Sequence, residues 1–405
     1  MALTPSRLCE GIAPSLTLAI GARAKEMMEQ GEDVIGFGVG EPDFDTPAHI
    51  RQAAIYALAN GMTSYTPAAG TLELRQAICE KLASDNGLAY APTQIVVSNG
   101  AKHSLFNAFQ AILDPGDEVL IPTPWWVSYP ELVRMAGGVP VPVPTTEADG
   151  FVATARMLAP YVTERTKALV LNSPNNPNGS VWNEEQLAGI AALAVEHGFY
   201  VISDEIYEKL IYDGERHISI ASLGEQIKEQ TVVVNGVSKA YAMAGWRIGY
   251  AAGPAAVIDA MVSYQSHATS NANAIAQYAS IEALRGDQAP VREMVATFDE
   301  RRKALVAALL AIGGLNGADG PACVMPKGAF YVMLNIAGAL GKRHRGRMIA
   351  GSMDFTEALL DAKGVAVVPG VAFEAEGYVR LSYATGMPSI LEGARRIGEF
   401  VAELK

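Results

Sequence analysis

Phe199-Tyr200-Val201-Ile202-Ser203-Asp204-Glu205-Ile206-Tyr207 is an apolar run of strand character that ends abruptly in charge. Successive β-prone residues without polar alternation read as a strand covered on both faces, since a half-exposed strand would alternate. Outward from it, similar runs recur at 95–98, 118–121, 167–171, 231–234 and 247–251, with apolar residues at helical spacing over 102–113 and 183–197. This βα order predicts an α/β fold with a mostly parallel sheet covered by helices.

The polar signatures fall just past the strands. Gly100-Ala101-Lys102 follows the first, Asn172 to Asn176 the third, Asp204 the fourth and Ser238-Lys239 the fifth. Ligands of open α/β sheets bind outside the carboxyl ends of the strands, so these segments are predicted to converge on one crevice.

The spacing further predicts a helix at 17–30, a long helix over 290–312 and strands at 328–333 and 379–383. The chain is thereby divided into an N-terminal arm with part of a small domain (1–45), a large cofactor-binding domain (46–290), and a connecting helix with a small α+β domain (291–405).

The chain has 405 residues with 31 basic and 43 acidic side chains, a formal charge of -12. That balance disfavours nucleic acid and anionic membrane as partners, so any anionic ligand must meet a local cluster of cations. The basic stretch at 338–351 reads as a solvated loop. Cys9, Cys79 and Cys323 are odd in number and far apart, supporting neither a disulfide framework nor a thiolate metal site, and a reducing cytoplasm is expected. No stretch approaches the roughly 20 apolar residues of a membrane span.

Four kinds of group point to one cofactor. A buried lysine amine, Lys239, can condense with an aldehyde; a carboxylate, Asp204, can keep a pyridine nitrogen protonated; Tyr207 and Asn176 can donate to a phenolate oxygen. Arg247, the Ser238 hydroxyl and the backbone N–H groups of Gly100 and Ala101 at a helix start can hold a phosphate. This set is the one pyridoxal 5'-phosphate requires. Read singly, Asp204 is a helix N-cap, Asn176 a turn residue and Lys239 a surface lysine; their grouping carries the reading.

These residues belong to ordered motifs: Gly40-Glu-Pro-Asp-Phe-Asp-Thr-Pro47, Tyr65-Thr-Pro-Ala-Ala-Gly70, Ser98-Asn-Gly-Ala-Lys102, Trp126-Val-Ser-Tyr-Pro130, Ser203-Asp-Glu-Ile-Tyr207, Ser238-Lys239, Gly245-Trp-Arg-Ile-Gly249 and Val379-Arg-Leu-Ser-Tyr-Ala384. As a set they resemble the fold-type I pyridoxal phosphate aminotransferases, in the bacterial and plastid branch of aspartate aminotransferases. The resemblance implies that Trp126 stacks on the cofactor ring, bordering the substrate together with Asn176, and that Tyr65 reaches the phosphate of a neighbouring subunit in a homodimer with shared sites. It implies that Arg380 clamps the substrate α-carboxylate with help from the Gly40 backbone, and that Lys102, Ser15 and Thr17 hold the side-chain carboxylate. The implied reaction is ping-pong amino transfer from L-aspartate to 2-oxoglutarate through a Schiff base on Lys239. Prephenate or aromatic aminotransferases, and lyases on the same fold, stay open as alternatives. Trp125 and Asn178 depart from the pattern, where tyrosine and threonine are usual, and Trp125 bears on the pocket wall.

Overall fold

The apolar runs assemble into the centre of the molecule, in a computed structural model that describes residues 6–12, 16–315 and 322–405. A seven-stranded sheet is made of β1 (Ile95–Ser98), β2 (Glu118–Thr123), β3 (Val139–Pro144), β4 (Thr166–Asn172), β5 (Tyr200–Asp204), β6 (Thr231–Gly236) and β7 (Gly249–Ala252). Their spatial order is β1-β7-β6-β5-β4-β2-β3. Strands β3, β2, β4, β5 and β6 run parallel, and β7 runs antiparallel to both β6 and β1. Only residues 237–248 link β6 to β7, with no crossover helix among them, so the chain turns back beside the strand it has left.

Alternate residues serve opposite faces. Val170, Ile202, Val232 and Val234 pack with Leu105 and Phe109 of the helix Ala101–Ile112, whereas Leu169, Leu171 and Val201 pack with Leu187 and Ile190 of the helix Glu184–His197. The second helix is fixed at its start by Asn183, whose side chain accepts from the Gln186 N–H at 2.9 Å, a cap worth about 1 kcal/mol.

β3 has no counterpart among the runs read from the sequence. Pro140, Pro142 and Pro144 cannot donate to a ladder, which argues against a strand. The prolines are tolerated because β3 is an edge, paired only with β2.

A second core surrounds an antiparallel sheet of β8 (Tyr331–Asn335), β9 (Val368–Pro369) and β10 (Tyr378–Ser382), in the order β9-β10-β8. The long helix Ala289–Leu310 packs on it through Phe298, Leu305 and Leu309. Ile35 and Phe37, from early in the chain, enter the same core, and Ile35 pairs in parallel with Val365. The basic stretch at 338–351 forms a short hairpin, Arg343–His344 against Arg347–Met348, and Arg347 pairs with Asp354 and Glu357. Among the described residues, no helix is long and apolar enough to cross a membrane.

Candidate active site

A cavity of about 790 Å³ opens at the carboxyl ends of β4, β5 and β6, walled on the far side by Gly38, Gly40, Tyr331 and Arg380. Lys239, three residues past β6, projects into it and donates through Nζ to the Gly40 carbonyl at 2.5 Å. Burial strips this ammonium of water, Glu41 opposes the effect and Arg247 and Arg380 add to it, so the amine is pushed down to about 8. About a tenth of it is neutral at pH 7, far more than for an amine at 10.5, which makes it a competent nucleophile toward an aldehyde.

Asp204 ends β5 on the face shared with Ile202 and is only 4% exposed. Its Oδ2 accepts from the Tyr129 hydroxyl at 2.7 Å and its Oδ1 from the Ile206 N–H at 3.2 Å. Burial nevertheless pushes the carboxyl up to about 6, against the pull of those bonds. Among the described residues no cation forms an ion pair with it. A carboxylate lining a cavity in this state gains from a positively charged nitrogen placed opposite.

At the opposite end, the helix Ala101–Ile112 begins from Gly100, whose φ is 87°. A Cβ at Gly100 would meet Arg247 Nη2 at 2.1 Å, and one at Gly249 would meet the Ala101 nitrogen at 2.1 Å. Both glycines let the helix start, the guanidinium and β7 close together, forming a cradle for an anion. Arg247 donates to the carbonyls of Ala244 at 2.9 Å and Asn99 at 3.2 Å, and it forms no ion pair among the described residues. Ser238 lines the same cavity.

Arg380, from the middle of β10, is 3% exposed. Its Nη1 donates to Asn176 Oδ1 and its Nη2 to the Gly38 carbonyl, each at 2.9 Å, while Nε has no partner. Tyr331 and Phe373 flank it, with ring centroids 4.4 Å and 5.0 Å from the guanidinium carbon. No carboxylate of the described residues neutralises this buried cation, so it fits an anionic ligand. Tyr207 shares a 2.9 Å hydrogen bond with the Tyr331 hydroxyl, and burial keeps its phenol neutral. Lys102 lies on the cavity wall with Nζ 4.9 Å from the Trp126 ring centroid, its amine lowered by burial and by Arg247.

The family of class I and II aminotransferases matches residues 32–396. The chain belongs to that family. The aminotransferase is 48% identical to an aspartate aminotransferase of a Bacillus species over 96% of this chain and 97% of the relative. It is 47% identical to an aspartate/prephenate aminotransferase of Thermus thermophilus, again over 96% of this chain and 97% of the other. Among solved structures, the aspartate aminotransferase of Rhizobium meliloti superposes with a TM-score of 0.95 at 44% identity, covering 100% of both chains. Enzymes of this family depend on pyridoxal phosphate. The residues present fit that group: Asp204 is a buried carboxylate with no ion-pair partner among the described residues, a Cβ at Gly100 would fill the cradle beside Arg247, and Lys239 in the same cavity carries a depressed amine.

Within this aminotransferase the segments expected to converge do so: Ala101, Lys102, Trp126, Asn176, Asp204, Tyr207, Ser238, Lys239, Arg247, Gly40 and Arg380 all line the cavity. Gly100 sits beside it as the N-cap of the helix. Tyr65 does not join them; it is 92% exposed on the outer surface. Ser15 lies outside the described residues, and Thr17 falls in the helix Leu16–Glu29 with its side chain outside the description. That helix lines the cavity through Ile20, Gly21 and Ala24. Trp125 is turned into the core between sheet and helices, 8% exposed, and does not line the cavity, which corrects the expectation that it shapes the pocket wall. Tyr129 and Tyr331 are functional candidates that sequence reasoning passed over. Tyr129 stands inside the quoted Trp126 to Pro130 motif, three residues from Trp126, so one helical turn was the available signal. Tyr331 carried none, since its meeting with Tyr207 joins positions 124 residues apart.

Proposed function

We propose that this aminotransferase exchanges the amino group of L-aspartate with 2-oxoglutarate, yielding oxaloacetate and L-glutamate. The observation that carries the reading is that, besides Lys239 and Arg247, the cavity is lined by Arg380 and Lys102, neither ion-paired among the described residues. A dicarboxylic amino acid offers one carboxylate to each. Arg380 takes the α-carboxylate with its guanidinium, assisted by Gly40, and Lys102 takes the side-chain carboxylate together with the hydroxyls of Ser15 and Thr17.

When bound, pyridoxal phosphate supplies the aldehyde and an electron-accepting ring. The protein's own groups do the rest. Asp204 would keep the ring nitrogen protonated, Tyr207 and Asn176 would donate to the phenolic oxygen, Trp126 would border the ring, and Arg247, Ser238, Gly100 and Ala101 would bind the phosphate. Lys239 would hold the cofactor, and its amine, when free, would move the proton at the substrate α-carbon. Tyr65, exposed on this chain, suits the phosphate of a neighbouring subunit, so a homodimer with shared sites belongs to the proposal, as do the division at residues 46–290 and 291–405 and a cytoplasmic setting.

The test is a panel of half-reactions followed by cofactor absorbance, with aspartate, glutamate, phenylalanine, tyrosine and arogenate as donors, then 2-oxoglutarate and prephenate as acceptors. Aspartate should react fastest, and Lys102→Ala should slow it far more than phenylalanine; equal losses would remove Lys102 from its role. Lys239→Ala should abolish turnover. A second reading, transfer to prephenate, is favoured by the name of the Thermus thermophilus relative and would appear as rapid arogenate turnover.

A further inference from the structure

Behind the active site, on the face of β5 opposite Asp204, lies a buried cluster of charge that the proposed chemistry does not use. Glu205, 1% exposed, accepts hydrogen bonds from Ser203 Oγ at 2.8 Å and Ser219 Oγ at 2.6 Å, and its other oxygen meets His217 Nε2 at 3.0 Å. Next to it Glu208 pairs with Lys81 and accepts from Asn86 Nδ2 at 2.8 Å. Burial works against the ionisation of Glu208, but Lys81 and His217 outweigh it and hold the carboxyl at about 2. Burial likewise works against a charged imidazole at His217, yet Glu205 outweighs it and raises its proton affinity.

The hydrogen bond from Ser203 to Glu205 spans Asp204. In extended chain, residues on either side of a position share a face, and the residue between them takes the other. Tying Ser203 and Glu205 together behind the strand therefore fixes Asp204 forward, where its carboxylate meets Tyr129. The backbone is held from both sides as well: the Glu205 N–H donates to the Val234 carbonyl at 2.8 Å, and the Asp204 carbonyl accepts from Asn172 Nδ2 at 3.0 Å. Two residues on, Tyr207 faces the cavity and Glu208 the cluster.

We propose that Glu205, through its bonds to Ser203 and His217, is a positioning residue that aims Asp204 at the cofactor ring. This rests on the assignment of Asp204 to the ring nitrogen. The claim is that the bridge over Asp204, rather than the mere filling of the space behind β5, sets how well the cofactor is held and how strongly its ring draws electrons.

Ser203→Ala and Ser219→Ala each delete one hydroxyl from the same carboxylate, but only the first cuts the bridge over Asp204. Ser203→Ala should raise the dissociation constant of pyridoxal phosphate roughly fivefold, move the pH profile of the bound-cofactor absorbance and lower kcat while KM for aspartate stays within about twofold. Ser219→Ala should lower Tm about as much as Ser203→Ala does, and leave the absorbance profile at its wild-type position. Glu205→Gln, which keeps the shape but not the charge facing His217, should weaken cofactor binding by roughly tenfold or more, with partial recovery in Glu205→Asp. The inference is overturned if the two serine variants change cofactor affinity and absorbance equally, or if Ser203→Ala changes only Tm. Should Glu205→Gln fail to fold, the serine pair still decides, because each change removes a single oxygen. Cofactor affinity and absorbance need no substrate. A wild-type protein that binds pyridoxal phosphate but does not react with aspartate would therefore sink the substrate reading and leave this one standing.

Discussion

The Tyr129 hydroxyl donates to Asp204 Oδ2 across 2.7 Å, and neither side chain has meaningful access to water. Tyr129 in turn meets the edge of Trp126, ring centroids 5.2 Å apart and planes at 79°, so one tyrosine touches both the ring-stacking candidate and the carboxylate candidate. Burial opposes the ionised form of Asp204, and this hydrogen bond is the largest effect favouring it. Tyr129→Phe should therefore raise the proton affinity of Asp204 further and destabilise its carboxylate by about 1–3 kcal/mol. Steady-state kinetics should register a loss in kcat of roughly tenfold or more with little change in KM, and an unchanged kcat would show that the bond is dispensable.

Asp204 also bears on stability. Its carboxyl rises from an ordinary value of 3.8 to about 6 on folding of the cofactor-free protein, so the folded state binds more protons than the unfolded one between those limits. Its contribution is fully present below pH 4 and is lost as pH rises through 6. Asp204→Asn, which carries no charge, should make the cofactor-free protein more stable near pH 8, on the order of 2–3 kcal/mol at most, while abolishing useful turnover. Urea unfolding of the two proteins at pH 4.5 and pH 8 checks this, with the gap expected to widen by about 2 kcal/mol at the higher pH.

Lys239 sets a second pH dependence. Its amine, held at about 8, must be neutral to attack an aldehyde. The rate at which cofactor-free protein captures pyridoxal phosphate should climb about tenfold per pH unit up to pH 7 and level off above pH 8. Stopped-flow absorbance would reveal a plateau near pH 10.5 instead if the amine were unperturbed.

Gly100 makes a sharper steric prediction. A methyl group there would lie 2.1 Å from Arg247 Nη2, and the φ of 87° is unfavourable for any residue with a Cβ. Gly100→Ala should displace the guanidinium and weaken cofactor binding by at least about tenfold, since it disturbs a charge-assisted contact as well as the backbone. Fluorescence titration with pyridoxal phosphate measures the loss directly.

Much of this molecule was legible from its strands. Runs such as 199–203 and 231–234 are apolar without alternation because both faces of β5 and β6 are covered, and the polar residues after them had only one place to go. The edge strand β3 was not legible: its prolines contradict strand propensity, and only its position at the border of the sheet makes them harmless. Trp125 misled for a related reason. Adjacent residues near a strand end face opposite ways, so Trp126 reaches the cavity while Trp125 goes into the core.

The sequence by itself determined the candidate covalent and charged groups, because Lys239, Asp204 and Arg247, ambiguous singly, recur together in ordered motifs whose resemblance also brings in Arg380. Tertiary structure alone decided what those groups meet. Arg380 lies without a carboxylate partner among the described residues, Tyr331 lies against Tyr207, and Glu205 meets Ser219 and His217 behind the strand that carries Asp204. Burial and hydrogen bonding arise between segments far apart in the chain, and these contacts, rather than residue type, push Asp204 up and Lys239 down in proton affinity.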